Sequence, residues 1–197
     1  MPDRPADTAG PRGLAEGTRV FTLRGEVAVA SLRPGDMLVT LAGQGAPMKP
    51  LLALHRGEGP GLRIAPGALG PGIPARDLLL GAGQALRVDG LLLPAGLLAG
   101  LPGVEAAPAC TLFQPELAAP DLLMAEGTPV APLPGAPEDA APDPAAVAAL
   151  RARLLARAAP RAAADPRDAL LDAVLDGPAA APLDAGAAPL LGPGPHG

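Results

Sequence analysis

The stretch "TRVFTLRGEVAVASL", Thr18 to Leu32, alternates with a period of two: Val20 and Thr22 share one face, and Arg19, Phe21 and Leu23 the other. A turn at Arg24-Gly25 leads into a second alternating run in which Val27 and Val29 fall together, so the two runs predict a β-hairpin. In "LRPGDMLVTL", Pro34 sets φ and Gly35 takes φ > 0, which favours a type II turn before a strand from Met37 to Leu41. "PMKPLLALHRGEG" and "GLRIAPGALGPGIPARDLLL" continue as short apolar runs broken by Gly and Pro. "RDLLLGAGQALRVDG" reads as strand, tight turn at Gly81 to Gln84, and strand. No helical period of any length precedes residue 130, and the pattern predicts an all-β domain over 13–133.

Beyond Leu133 the period changes. Asp143 is placed to cap a helix that Pro144 starts, with Val147, Leu150 and Leu154 at helical spacing. The device recurs at Asp165 and Pro166, with a stripe of Leu170, Leu171, Val174 and Leu175 ended by Gly177-Pro178. Two short helices joined by an Ala/Pro linker are therefore expected within 134–178. Isolated helices of this length are marginal in water, so docking on the protein's own sheet is expected. Residues 1–12 read as a flexible leader and 179–197, with His196, as a disordered low-complexity tail.

Composition changes this picture in one respect. Apolar residues make up 49% of the 197, but much of that is alanine, the aromatics are Phe21 and Phe113 alone, and 28 prolines and 26 glycines exceed a quarter of the chain. A core must come from Leu, Val and Ile, which concentrate before residue 130. The net charge of −5, with scattered arginines and Lys49 the sole lysine, gives no footprint for nucleic acid. Two histidines and one cysteine, Cys110, give no zinc-ligand spacing; no metal and no cofactor is expected, and Cys110 is expected as a small buried residue. The leucine stretch near 91–101 is cut by Pro94, Gly96 and Gly100 and is too short to insert in a membrane. The expected protein is a soluble monomer, cytoplasmic or exported without a cleavable signal peptide.

The β segment resembles the bacterial Hint domains of the Hedgehog/intein autoprocessing superfamily. The resemblance rests on "GTRVFTLRGEVAVASLRPGDMLVT", "RIAPGALGPGIPARDLLL", "VDGLLLPAGLLAG" and "LAAPDLLMAEGTPV", from Gly13 to Val130. It implies a horseshoe-like all-β fold with the domain start beside the loop before Ala85. It also implies a chemistry: the first residue, a Cys or Ser, attacks the preceding carbonyl, and a histidine in a Ser-Pro-x-His turn protonates the leaving nitrogen.

On the family's opening Cys-Phe-x-x-Gly-Thr, this chain has Gly13-Leu14-Ala15-Glu16-Gly17-Thr18, so Gly13 stands where the nucleophile would be. The Ser-Pro-x-His turn aligns with Gly81-Ala82-Gly83-Gln84, and two later histidine positions with Gln114 and Pro120. Gln84 can donate a hydrogen bond to an amide but cannot deliver a proton near neutral pH. Thr18 is a weak substitute nucleophile without a base, as is Thr8. His55 is expected as a surface or turn residue, and Glu126, Asp36 and Asp77 as scaffold carboxylates that accept backbone N–H groups or pair with arginines. Two glycines in place of the Ser-Pro pair predict persistent strands around a loose turn.

Three functions follow from these residues: a catalytically degenerate Hint domain kept as a structural or binding module, with a protein partner of unidentified kind; an autoprocessing domain that shifts the peptide bond near Gly13 with a non-standard nucleophile; and an interaction protein that works through its C-terminal helices.

Overall fold

The computed structural model describes residues 10–41, 46–134 and 142–163. Among these residues the strands are β1 Leu14–Ala15, β2 Arg19–Thr22, β3 Gly25–Ala28, β4 Met37–Val39, β5 Met48–Pro50, β6 Ala53–Ile64, β7 Leu78–Gly81, β8 Ala85–Val88, β9 Leu91–Pro94, β10 Val104–Glu116, β11 Leu123–Ala125 and β12 Thr128–Val130. One helix, α1 Pro144–Ala163, follows them.

The strands form two antiparallel sheets. β1 pairs with β10 and β7, and β6 pairs with the same two, so β1-β10-β6-β7 close into a four-stranded ring. The other sheet runs β5-β4-β2-β11-β12-β8-β9, with β3 paired to β2. Leu14, Ile64 and Leu80 of the ring share one apolar core with Val20, Leu38 and Leu86 of the second sheet. The core is aliphatic, as the composition predicts, with Phe113 packed against its side. The fold is thus mostly β with a C-terminal helix.

Two hairpins explain themselves locally. β8 and β9 join through Asp89-Gly90, at φ 48° and 84°, and β11 and β12 through Glu126-Gly127, at φ 47° and 77°. Left-handed backbone at both central positions matches the twist of the flanking strands. The predicted turn at Pro34-Gly35 is present, with Gly35 at φ 92° and the Asp36 N–H donating to the Arg33 carbonyl at 3.0 Å.

The sequence expectation fails for β6. Glycines 57, 59 and 61 and Pro60 look like punctuation, yet they lie inside one 12-residue strand. Its partner β10 pairs along that whole length, from Val104 opposite Ile64 to Glu116 opposite Ala53, and non-local pairing overrides local propensity. The one irregularity falls between Ala107 and Ala109, where Pro108 has no N–H to give the ladder. The second alternating run is also shorter than expected, because Val29–Ser31 form a 3-10 turn.

α1 begins as the sequence predicts: Asp143 Oδ1 accepts the Ala145 N–H at 3.0 Å and the Asp143 carbonyl accepts the Val147 N–H. It docks on the β domain of its own chain through Leu150 and Leu154, which join the main core. Arg151 Nη1 donates to the carbonyls of Leu97 and Ala99, at 2.6 and 3.1 Å, and Asp89 pairs with Arg157 at 2.9 Å and Arg153 at 3.4 Å. The helix is not short. It runs through Pro160 to Ala163, so the expected linker starts later than predicted; alanine and arginine on either side are strong helix formers. The second helix expected from Asp165 lies outside the described residues.

Candidate functional site

Gly13 and Gln84, the two positions the sequence singles out most sharply, meet in the interior. The Gln84 N–H donates to the Gly81 carbonyl at 2.9 Å, which closes the turn between β7 and β8 and points the side chain inward. Gln84 is 2% exposed. Its Oε1 accepts the Gly13 N–H at 3.0 Å, while Nε2 donates to the carbonyls of Ala85 at 3.0 Å and Ala131 at 2.7 Å.

This network fixes the amide orientation. Turned over, the NH2 group would face the Gly13 N–H and the oxygen would face two carbonyls, all three contacts repulsive. The expected donation to an amide is made, to the carbonyls of Ala85 and Ala131, whereas at the Gly13 nitrogen Gln84 accepts. A peptide nitrogen carries its hydrogen in the amide plane, and here that hydrogen, not a lone pair, faces the side chain.

Gly13 is shaped for the absence of a side chain. Its φ of 122° is one that side-chain-bearing residues rarely adopt. A Cβ there would lie 3.0 Å from Leu112 Cβ, 3.1 Å from the Phe113 carbonyl oxygen and 3.2 Å from the Phe113 nitrogen. Backbone strain of this kind costs about 1–3 kcal/mol for a residue other than glycine. β1 follows at once, with Leu14 opposite Phe113 on one side and Leu80 on the other, so Gly13 is held from both neighbours.

The turn at Gly81 to Gln84 is not loose, contrary to expectation. The Gly81 N–H donates to the Gly13 carbonyl at 2.9 Å and the Gly83 N–H to the Pro11 carbonyl at 2.8 Å. On its other side, the Ala95 N–H donates to the Gln84 carbonyl and the Gly96 N–H to the Ala82 carbonyl. Glycine's freedom is offset by hydrogen bonds on both flanks.

The other singled-out residues lie elsewhere. Gln114 is half-buried in β10, opposite His55, and Pro120 is exposed ahead of β11. Thr18 is buried and its hydroxyl donates to the Leu79 carbonyl at 3.1 Å, as packed scaffold. His55 is an exposed strand residue whose Nε2 lies 2.6 Å from Glu116 Oε2. Cys110 is half-buried rather than buried, because β10 carries it opposite Gly59 on the β6–β10 ribbon.

The carboxylates have the expected kinds of partner. Glu126 accepts the Arg19 N–H on Oε1 at 2.5 Å and Arg76 Nε on Oε2 at 2.6 Å. The Arg76 guanidinium is pushed above its ordinary pKa by hydrogen bonds to Glu26 and then Glu126, so it stays charged. Asp36 accepts the Arg33 N–H and pairs with Arg24, and Asp77 pairs with Arg63 at 2.8 Å.

Sequence reasoning missed Pro11, Gly59 and the Ala131 carbonyl. Only the string Gly-Pro-Arg directly ahead of Gly13 could have signalled the first; the other two depend on long-range pairing. Among the described residues no group of three or more His, Cys, Asp or Glu side chains is placed to hold a metal ion. No helix among them is long and apolar enough to cross a membrane.

Comparison with known proteins agrees with the fold. The model of the family described as the Hint domain matches residues 12–133, more than half of the chain. The DnaB intein from Synechocystis sp. PCC 6803 superposes with a TM-score of 0.51 at 9% identity, covering 62% of this chain and 99% of that one. The gp41-1 intein gives a TM-score of 0.49 at 13% identity, covering 61% and 98%. The bacterial intein-like domain from Clostridium thermocellum gives 0.47 at 14%, covering 61% and 97%. No curated protein matches the chain. With a family match over most of the β domain and an intein-type fold around Gly13 and Gln84, this chain belongs to the Hint domain family.

Proposed function

We propose that this Hint domain performs no self-cleavage or splicing and serves as a structural or binding module in which the former reaction site anchors the chain ahead of it. The observation that carries this proposal is the Gln84 amide accepting the Gly13 N–H at 3.0 Å while both its donors are spent on backbone carbonyls. Acyl transfer from a peptide needs a nucleophile, an acid for the departing amine and stabilisation of the oxyanion. Gly13 brings no nucleophile, and a carboxamide is no acid near neutral pH. In a serine protease, loss of the nucleophile or its base alone costs about a millionfold in turnover. Thr18 offers no rescue, since its hydroxyl is engaged by the Leu79 carbonyl.

The buried stripe of α1 also favours a scaffold role for that helix over a partner-binding one, because Leu150 and Leu154 are already covered by the β domain. The test is the intact mass of the chain tagged at both ends and kept at neutral pH with and without added thiol or hydroxylamine. A single full-length species is expected; a product ending at Arg12, or a hydroxamate of it, overturns the proposal.

A further inference from the structure

Residues 10–12, immediately ahead of Gly13, lie against Gly59, Gly81 and Gly83, with Ala82 and Leu112 beside them. The pairing of Leu14 with Leu80 continues upstream in register: the Gly13 carbonyl accepts the Gly81 N–H and the Pro11 carbonyl accepts the Gly83 N–H. The segment therefore runs on from β1 alongside the end of β7 and the turn after it, held by two backbone hydrogen bonds of the kind by which sheet edges take up extended peptides. Across it, the Pro11 ring rests on β6 at Gly59, where a Cβ would come within 2.8 Å of both Pro11 Cβ and Cγ. A Cβ on Gly81 would overlap the Pro11 carbonyl and come 3.0 Å from Leu112 Cδ1. Gly10, at φ 84°, turns against Ala82 and Gly83.

We propose that Gly59, Gly81 and Gly83 with Gln84 form a proline-selective peptide-binding site whose occupant is the chain's own Gly10-Pro11-Arg12 segment. Bound there, the segment is latched and the Arg12–Gly13 bond is shielded from external proteases. Proline suits the position because its preset φ lowers the entropy lost on docking, and its ring fills the space left by a residue with no side chain. Any residue other than glycine at 59 or 81 would close the site. The latch rests on the function proposed above, in which the Arg12–Gly13 bond stays intact.

Limited trypsin digestion of the full chain, read by intact mass, tests it. Arg4 precedes a proline, so Arg12–Gly13 is the first N-terminal bond open to trypsin. Cleavage of such a bond tracks the population in which the segment has opened. Pro11→Gly is expected to speed cleavage at Arg12–Gly13 by about tenfold or more, with faster hydrogen exchange at the Gly83 amide. Gly59→Ala is expected to speed it similarly beside Pro11, but to add nothing in the Pro11→Gly background. A loss of the β6 strand itself would instead lower the melting temperature of Gly59→Ala in both backgrounds, and that result would overturn the latch. So would equal cleavage of Pro11→Gly and the parent chain. Loss of residues 1–12 before any protease is added would overturn the intact-bond premise, and is read separately from the digestion rates.

Discussion

At the scale of single residues, Gln84 accepts the Gly13 N–H and donates to the carbonyls of Ala85 and Ala131, the first of which also accepts the Ala131 N–H at 3.0 Å. Gln84→Leu keeps the volume and strands the Gly13 N–H and the Ala131 carbonyl in the interior, at about 1–3 kcal/mol for each one left unpaired. Chemical denaturation is expected to show a loss of at least a few kcal/mol; a midpoint unchanged from the parent would contradict the clamp. Refitting the family's residues is expected to fail for a steric reason. In Gly13→Cys with Gln84→His, the new Cβ presses on Leu112 and the Phe113 backbone at a φ of 122°. The double variant should melt earlier and keep its full-length mass; cleavage at Arg12–Gly13 would show that the backbone is not what blocks the chemistry. The identities of Gly13 and Gln84 were legible in the sequence through motif alignment. Which way Gln84 faces was not, because that depends on Ala131, a residue 47 positions away.

At the scale of elements, α1 is held by a buried stripe and by charge at its rim. Hydrogen bonding from Arg157, then the charges of Arg157 and Arg153, hold the Asp89 carboxyl below its ordinary pKa of 3.8. A carboxyl whose folded pKa is depressed contributes stability above its unfolded pKa and loses it as pH falls through the folded value. Thermal melts of the parent chain should therefore fall more steeply below pH 4 than those of Asp89→Asn, and the two should converge at the acid end. The pairs are partly solvated, so the difference near neutral pH should stay below about 1 kcal/mol and shrink with salt. Identical pH profiles would remove Asp89 from the account of docking. The start of α1 was legible because capping is local: Asp143 and Pro144 are adjacent in sequence and act on the next turn. The long β6 was not, since its course through three glycines and a proline is imposed by β10, some fifty residues further on.

For the whole molecule, the strands that enclose Gly13 and Gln84 follow from aliphatic alternation and from turns with glycine at φ > 0. The all-β class was readable on those grounds alone. What the alternation could not give is the closure of β1-β10-β6-β7, in which a two-residue strand is gripped between the 13-residue β10 and the four-residue β7. That closure places Gly13 in the interior beside Gln84, and under the proposed function the Arg12–Gly13 junction is a point of attachment. The most direct measurement is the intact mass of the doubly tagged chain, followed over days at neutral pH with hydroxylamine present. One mass, equal to the full chain at every time point, is the predicted result; a fragment beginning at Gly13 would contradict it.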